Sequence, residues 1–237
     1  SVVISTAYAA DVWDSFDREG PALGTTEDTN QYGWVVNGDA TIVNNEMKQV
    51  ASYVTTAGIG PNASSVDFTP ADFDMTVRVK MGGGWFGILF RQPTTDAWFT
   101  GDGYMPHFYP ASPSGGVLYY WGMSFGVIQT ASLDGFTWDD YHTVRLRVVG
   151  DSHRLWLDGK MLINLRHAGK TTAGHIGLGC SAGTAYFDDV SITVNPPPLE
   201  KGNLVGTVTD ADTGAPVEGC IVQLGGVSTS TNAIRNR

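Results

Sequence analysis

The chain has 237 residues and a formal net charge of −10, which excludes the basic surface needed to bind nucleic acid or an anionic membrane. Its 30 glycines, 11 prolines, 7 tryptophans, 9 tyrosines and 10 phenylalanines are typical of many short strands joined by turns, and they argue against a helical fold. No apolar stretch of the sequence reaches the length of a membrane span. The acidic balance favours a protein outside the cell, secreted or at the cell surface.

Residues 1–10, "SVVISTAYAA", are either the remnant of a signal peptide or a first strand, because the run is apolar and has a small-x-small ending. Beyond them, apolar and polar residues alternate in short segments separated by Gly, Pro, Asn and Asp, the pattern of half-buried strands and turns. The predicted strands are 40–54, 72–81, 84–91, 116–121, 142–149, 153–158, 173–180 and 184–194. The fold class is therefore predicted to be all-β.

The clearest local structure is a hairpin in "VRLRVVGDSHRLWLDGKML", where "GD" and "DG" are strong turn signals. Its alternation predicts that Val144, Leu146 and Val148 face the core and that Leu155 and Leu157 pack against them. This segment builds the core and carries no chemistry.

The domain organisation follows from a proline-rich run. Residues 11–194 are predicted to form one domain, 195–202 a stiff linker, and 203–237 the first part of a second module. The cysteines, Cys180 and Cys220, lie in different modules. They are either two buried thiols or a disulfide that joins the modules.

Several segments together carry a family resemblance: the opening "WDSFDREGPALGTTED", the central "GWFGILFR", the hairpin, and the closing "GHIGLGCSAGTAYFDDVSITV". The domain resembles the concanavalin A-like lectin and glucanase jelly roll, especially its laminin-G-like and carbohydrate-binding-module branches. The resemblance implies a jelly-roll sandwich of two antiparallel sheets. The tail "GNLVGTVTDADTGAPVEGCIVQLGG" resembles the first half of a carboxypeptidase-regulatory-like module, which implies a partial Ig-like β module at the C-terminus.

Two adjacent acids, Asp188 and Asp189, interrupt the last predicted strand. One of two neighbours on a strand faces the core side or a sheet edge, where a carboxylate is costly unless a cation or several donors meet it. The resemblance implies that the first and last strands lie side by side, so that Asp14 and Asp17 approach this pair. One interpretation is a structural Ca²⁺ ion bound by these four acids, because calcium takes oxygen ligands. The alternative is that one acid faces solvent while the other caps a turn.

The segment 85–121 contains more aromatic residues than the core of one sheet can absorb. Sugar rings have apolar faces that stack on Trp and Tyr, while their hydroxyls need polar partners. "YYW" at 119–121 cannot point inward as a whole, so either the middle residue or the two flanking ones face outward. The candidate ligand-binding residues are Arg91, Trp98, Tyr104, His107, Tyr109, Tyr120 and Trp121. Arg91 ends a predicted strand, and His107 is expected in an adjoining loop.

No catalytic motif emerges: the Glu-x-Asp-x-x-Glu spacing of jelly-roll glucanases is missing, and so are a nucleophile elbow and a phosphate loop. The sequence predicts a secreted, non-catalytic domain that binds a polysaccharide through stacking aromatics. A first alternative is an extracellular adhesive or filament-forming subunit that self-associates by strand addition at exposed edges. A second is a polysaccharide hydrolase with an unrecognised acid pair.

Overall fold

The computed structural model describes residues 11–60, 68–93, 103–111, 114–122, 124–196, 213, 221–224 and 227–230. The chain divides into two compact units, residues 1–196 and 197–237, and the division falls inside the predicted linker. Every regular element among the described residues is a strand. In this part of the chain there is no helix of the length and apolarity that a membrane crossing requires.

Thirteen strands belong to the first unit and two to the second. They are β1 (Val12–Asp14), β2 (Gly33–Asn37), β3 (Asp39–Val43), β4 (Glu46–Gly60), β5 (Phe73–Met81), β6 (Trp85–Gln92), β7 (Tyr104–Pro110), β8 (Gly116–Gly122), β9 (Gly126–Ser132), β10 (His142–Val149), β11 (Ser152–Leu157), β12 (Lys160–Arg166), β13 (His175–Val194), β14 (Ile221–Leu224) and β15 (Val227–Ser230). In the second unit, β14 and β15 pair as an antiparallel hairpin. The Ig-like assignment of residues 203–237 stays a prediction.

The first unit is a jelly-roll sandwich whose strands run in the order β12-β11-β10-β5-β13-β6-β7-β8-β9, with neighbours antiparallel. β13 belongs to both layers: residues 175–181 pair with β6 and residues 185–194 with β5. β4 runs along the other side of β13, and β1 pairs with the end of β13. The predicted all-β jelly roll is confirmed, and the first and last strands of the domain do lie side by side.

Glycines permit the bend at which β13 passes from one layer to the other. The turn between β5 and β6 crosses against this bend, where a Cβ atom on Gly183 would lie 2.1 Å from the carbonyl oxygen of Gly83. A Cβ atom on Gly84, whose φ is +76°, would lie 2.3 Å from the carbonyl oxygen of Ser181. Side chains at these positions are sterically excluded, so the backbone approach that separates the two layers depends on glycine.

The core lies between the layers and is continuous across them. The predicted hairpin is confirmed, because Val144 pairs with Leu157 and Leu146 with Leu155, and all four side chains are buried. Val148 is buried with them.

Several elements differ from the sequence-based prediction. β1, β2 and β12 lie outside the predicted strands, and the strand predicted at 40–54 is two strands, β3 and β4. β7 was not among the predicted strands, because the residues around His107 were expected to form a loop, yet β7 lies between β6 and β8. β9 was not predicted, because its sequence "GVIQTAS" has few large apolar residues. The two strands predicted at 173–180 and 184–194 are one strand, β13, with a register shift between Ser181 and Gly183.

Candidate functional site

The predicted ligand-binding residues divide between the two faces of the layer that contains β6, β7 and β8. On β8, Tyr120 points into the core and is fully buried, whereas Tyr119 and Trp121 lie on the outer face and are partly exposed. Of the two orientations left open for "YYW", the structure has the flanking residues outward. The placement of Tyr120 beside Trp121 on one binding face is therefore wrong, because neighbours on a strand point to opposite sides.

The prediction that Arg91 binds the ligand is also wrong, because its side chain is fully buried. The guanidinium donates hydrogen bonds to the carbonyl oxygens of Ala71 (2.9 and 3.1 Å), Gly150 (2.8 Å) and Lys170 (2.7 Å). Burial lowers the pKa of Arg91 from its ordinary value, opposed by the charge of Asp72. The side chain holds three loops together and does not face a ligand surface.

The prediction that Tyr104 binds the ligand is wrong as well, because Tyr104 lies in a buried Tyr–His cluster between the layers. The hydroxyl of Tyr120 and Nδ1 of His153 share a hydrogen bond of 2.8 Å, and the hydroxyl of Tyr104 and Nδ1 of His167 share one of 2.9 Å. The rings of Tyr104 and His153 meet edge to face at 4.6 Å. Both tyrosines are fully buried and therefore do not reach a surface ligand.

Because His153 is buried, we expect the folded state to lose stability in acid. Burial, with the charge of Arg91, lowers the pKa of His153 to about 3. The unfolded chain takes up a proton near pH 6.5 that the folded chain does not accept until about pH 3, so stability falls as the pH drops through this interval. We expect His153 to contribute about 1.4 kcal/mol of lost unfolding free energy per pH unit between these values.

Urea unfolding at several pH values between 7 and 4 checks this expectation. His153→Phe keeps a ring but cannot titrate, so its stability should depend less steeply on pH than that of the wild type. Its loss of the Tyr120 hydrogen bond lowers stability at every pH and does not alter the slope. Parallel pH profiles for the two proteins would contradict the account.

The outer face of the layer carries a cluster of five rings, which we call the aromatic face: Trp85, His107, Tyr109, Tyr119 and Trp121. The ring centroids of Trp85 and Tyr109 are 6.0 Å apart and stacked at 30°. Tyr109 meets Tyr119 edge to face at 5.2 Å. The strand register brings these residues together, because β7 pairs with β8 so that His107 lies opposite Tyr119.

An open cleft of about 340 Å³ lies on the aromatic face, and its lining residues are Tyr109, Gly116, Val117, Tyr119 and Trp121. Tyr109 and Val117 are 38% and 37% exposed. The cleft volume lies at the lower end of the range of about 300–1,000 Å³ for small-molecule sites. None of the lining residues carries a charge, so the cleft offers flat rings and phenol hydroxyls to an uncharged ligand.

His107 belongs to the aromatic face as a buried support and not as an exposed loop residue. It lies on β7, fully buried, with its ring 3.9 Å from that of Trp85 and 4.2 Å from that of Tyr109. Burial lowers its pKa to about 3, so the imidazole is neutral at physiological pH. Its expected position in a loop is wrong, and its contribution is to hold the two neighbouring rings.

The remaining candidate, Trp98, lies outside the described residues. Four residues of the cleft and its rim were missing from the candidates: Trp85, Gly116, Val117 and Tyr119. The period-two alternation that selects Trp121 also selects Tyr119 and Val117, so this signal was available. Trp85 pairs with Ser181 of β13, a register that the sequence does not reveal.

Asp14 does not lie in an open metal site. Its carboxylate is buried and accepts hydrogen bonds from Arg18 Nη1 and Nη2 (2.7 and 2.8 Å), from Trp34 Nε1 (2.6 Å) and from the amide of Phe16 (2.8 Å). Both carboxylate oxygens are therefore already bound to donors of the chain.

The pair Asp188 and Asp189 is bound by an arginine. Asp188 lies opposite Arg78 of β5, and a register shift after it places Asp189, with φ +47°, beside the same guanidinium. Arg78 Nη1 lies 3.0 Å from Asp188 and 3.1 Å from Asp189. Burial and the charge of Asp189 raise the pKa of Asp188, and Asp17 contributes to the same repulsion.

Three of the four acids predicted to bind calcium are thus bound by arginines: Asp14 by Arg18, and Asp188 and Asp189 by Arg78. The fourth, Asp17, is exposed. Within the described ranges, no group of three or more His, Cys, Asp or Glu side chains could hold a metal ion. The donor set does not fit the predicted Ca²⁺ site, because three of its four carboxylates are bound to guanidinium groups. Cys180 is buried in the core, and Cys220 lies outside the described residues.

The fold is similar to those of several carbohydrate-related proteins of known structure. The carbohydrate-binding module CBM66 from Bacillus subtilis is 16% identical, with a TM-score of 0.56, and the match covers 69% of this chain and 97% of the module. The potassium-bound carbohydrate recognition domain of Emp46p is 10% identical, with a TM-score of 0.52, over 68% of this chain and 88% of the domain. The Crh5 transglycosylase is 14% identical, with a TM-score of 0.56, over 80% of this chain and 86% of the enzyme. At these identities the likeness establishes the fold alone.

Among curated proteins, none matches this chain. A family model does: the model described as a 3-keto-alpha-glucoside-1,2-lyase-like domain matches residues 24–193. This range begins before β2 and ends within β13, so it includes both layers of the sandwich and the whole aromatic face. The chain therefore belongs to the 3-keto-alpha-glucoside-1,2-lyase-like domain family.

Proposed function

We propose that this chain is a carbohydrate-binding domain that holds a neutral sugar on its aromatic face, outside the cell. The observation that carries the proposal is the uncharged cleft between Tyr109, Tyr119 and Trp121. Large apolar side chains are usually withdrawn from the solvent-facing side of a sheet, so rings gathered there around a cleft are typical of a binding surface.

The chemistry of the cleft suits a pyranose or furanose ring. The C–H faces of such a ring are apolar and stack on Tyr and Trp, while its hydroxyls form hydrogen bonds with the phenol groups at the sides. Burial and the neighbouring Tyr119 raise the pKa of Tyr109, so its hydroxyl stays protonated and is able to donate. The net charge of −10 disfavours acidic polysaccharides at low ionic strength.

The structural neighbours support this proposal at the level of fold. CBM66 is a carbohydrate-binding module and the Emp46p domain is a carbohydrate recognition domain by name. Proteins with the same fold are therefore named for binding or recognising carbohydrate.

Binding of the full chain to soluble neutral polysaccharides tests the proposal. Affinity electrophoresis in gels that contain a β-glucan, a fructan, a xylan or a mannan should show retardation by at least one of them, and calorimetry then gives the affinity. Retardation that persists in the chelator EDTA is expected, because three of the four predicted calcium ligands are bound to arginines. Failure to bind any sugar on a broad neutral glycan array would contradict the proposal.

A second candidate function rests on the family match. The family description names a lyase of 3-keto-α-glucosides, and Crh5 is a transglycosylase on the same fold, so the cleft is also a candidate active site. Incubation of the chain with a 3-keto-disaccharide, followed by chromatography of the products, tests it. Cleavage that is lost in Tyr119→Ala would favour the enzyme. Binding with no new product would favour the sugar-binding role.

A further inference from the structure

Asp134 lies at the rim of the cleft, on the turn that follows β9. In the register of β8 and β9, Ser132 lies opposite Val117, a residue of the cleft lining. The turn is fixed to the cleft by backbone hydrogen bonds, from the amide of Leu133 to the carbonyl of Gly116 (3.0 Å) and from the amide of Gly115 to the carbonyl of Phe136 (2.8 Å).

The carboxylate of Asp134 lies against Gly115, the residue that precedes the cleft-lining Gly116. The amide of Asp134 donates to the hydroxyl of Ser132 at 3.0 Å, which holds the start of the turn. Oδ1 of Asp134 lies 3.2 Å from the position that a Cβ atom on Gly115 would occupy. Gly116, the next residue, lines the cleft, so the carboxylate lies against the residue adjacent to the cleft lining.

This carboxylate is available to a ligand. Asp134 is exposed, and within the described part of the chain neither a hydrogen bond nor an ion pair engages its side-chain oxygens. The cleft lining itself is uncharged. Asp134 therefore adds to an apolar site a negative charge with two acceptor oxygens.

A carboxylate at the edge of a stacking site distinguishes sugars by charge. Its two oxygens accept hydrogen bonds from a pair of neighbouring hydroxyls, and such charge-assisted bonds are about twice as strong as neutral ones. A uronate or sulfate group in the same place is repelled, and the repulsion weakens with added salt.

We infer that Asp134 determines specificity in the proposed sugar site, by binding a hydroxyl pair of a neutral glycan and excluding acidic glycans. The inference rests on the proposed function, and it assigns to one residue the selection between the two classes of glycan.

The test compares Asp134→Ala and Asp134→Asn with the wild-type chain. The probes are the neutral polysaccharide that the wild type binds best and polygalacturonate, at low and high salt. Asp134→Ala should weaken binding of the neutral probe about tenfold, which is the usual effect of losing a hydrogen bond to a charged group. Asp134→Asn, which keeps the shape and loses the charge, should increase binding of polygalacturonate at low salt. Asp39→Asn on β3, an exposed acid in the opposite layer, is the matched control.

The possible outcomes distinguish a failure of the role inferred for Asp134 from a failure of the proposed sugar-binding function. If Asp134→Ala binds the neutral probe like the wild type while Trp121→Ala does not bind, the role of Asp134 is wrong and the sugar site stands. If Asp39→Asn increases polygalacturonate binding as much as Asp134→Asn, net charge explains the effect and the inference is overturned. If the wild type binds no neutral glycan, both are wrong.

Discussion

Replacing Trp121 with alanine is expected to weaken binding of the preferred neutral polysaccharide by about 30-fold. The indole is the largest ring of the cleft lining, and aromatic residues at the centre of a binding surface commonly contribute about 2 kcal/mol or more. Calorimetry on the full chain measures the change. Tyr119→Ala, which removes the neighbouring ring on the same face of β8, should weaken binding in the same direction.

The matched control for Trp121 is Trp13, which is 42% exposed on β1. Trp13→Ala should leave the affinity unchanged, because β1 pairs with the end of β13 and not with the strands of the aromatic face. Trp121 also packs against Leu89 and Met105, so urea unfolding must show that Trp121→Ala remains folded. Equal losses of affinity in Trp13→Ala and Trp121→Ala would show that the aromatic face is not the binding surface.

Composition and alternation were enough to predict the sandwich and the hairpin, because both depend on short-range patterns. They did not determine which face of each strand is the core. In "YYW", alternation requires Tyr120 to oppose its neighbours, but only its burial in the folded domain shows that Tyr120 points inward. The candidate set mixed residues of both faces for this reason.

Arg91 shows a second limit of the sequence pattern. An arginine at the end of an apolar strand is a reasonable ligand of a sugar, but here its φ is +52° and its side chain lies across three loops. Such a contact joins residues far apart in the chain. No local pattern distinguishes a buried arginine that binds carbonyl oxygens from an exposed one that binds a ligand.

The acids were predicted to share a cation, and the juxtaposition of the chain ends was correct. The sequence did not indicate that arginines occupy those positions. Arg78 reaches Asp188 and Asp189 only through the register of β5 with β13. Arg18, in contrast, lies four residues after Asp14, and this spacing could have suggested a local ion pair.

The ion pair of Asp14 and Arg18 supports the start of the domain. The buried carboxylate binds the guanidinium through two hydrogen bonds and the indole N–H of Trp34 through a third. Removal of one partner from such a pair leaves the other charge buried without a partner. The resulting loss of stability is larger than the net stabilisation that the intact pair provides.

Replacing Asp14 with asparagine is therefore expected to lower the free energy of unfolding by about 3 kcal/mol, measured by urea denaturation. The asparagine amide keeps one acceptor but adds donors that oppose those of Arg18 and Trp34. Asp17→Asn, at the exposed neighbour that was predicted to bind calcium beside Asp14, should change stability by less than about 0.5 kcal/mol. Both values should be the same in EDTA and in millimolar CaCl₂, because the stabilising cation is the guanidinium of Arg18. A wild type that calcium stabilises, together with equal losses in Asp14→Asn and Asp17→Asn, would show instead that these acids bind the ion.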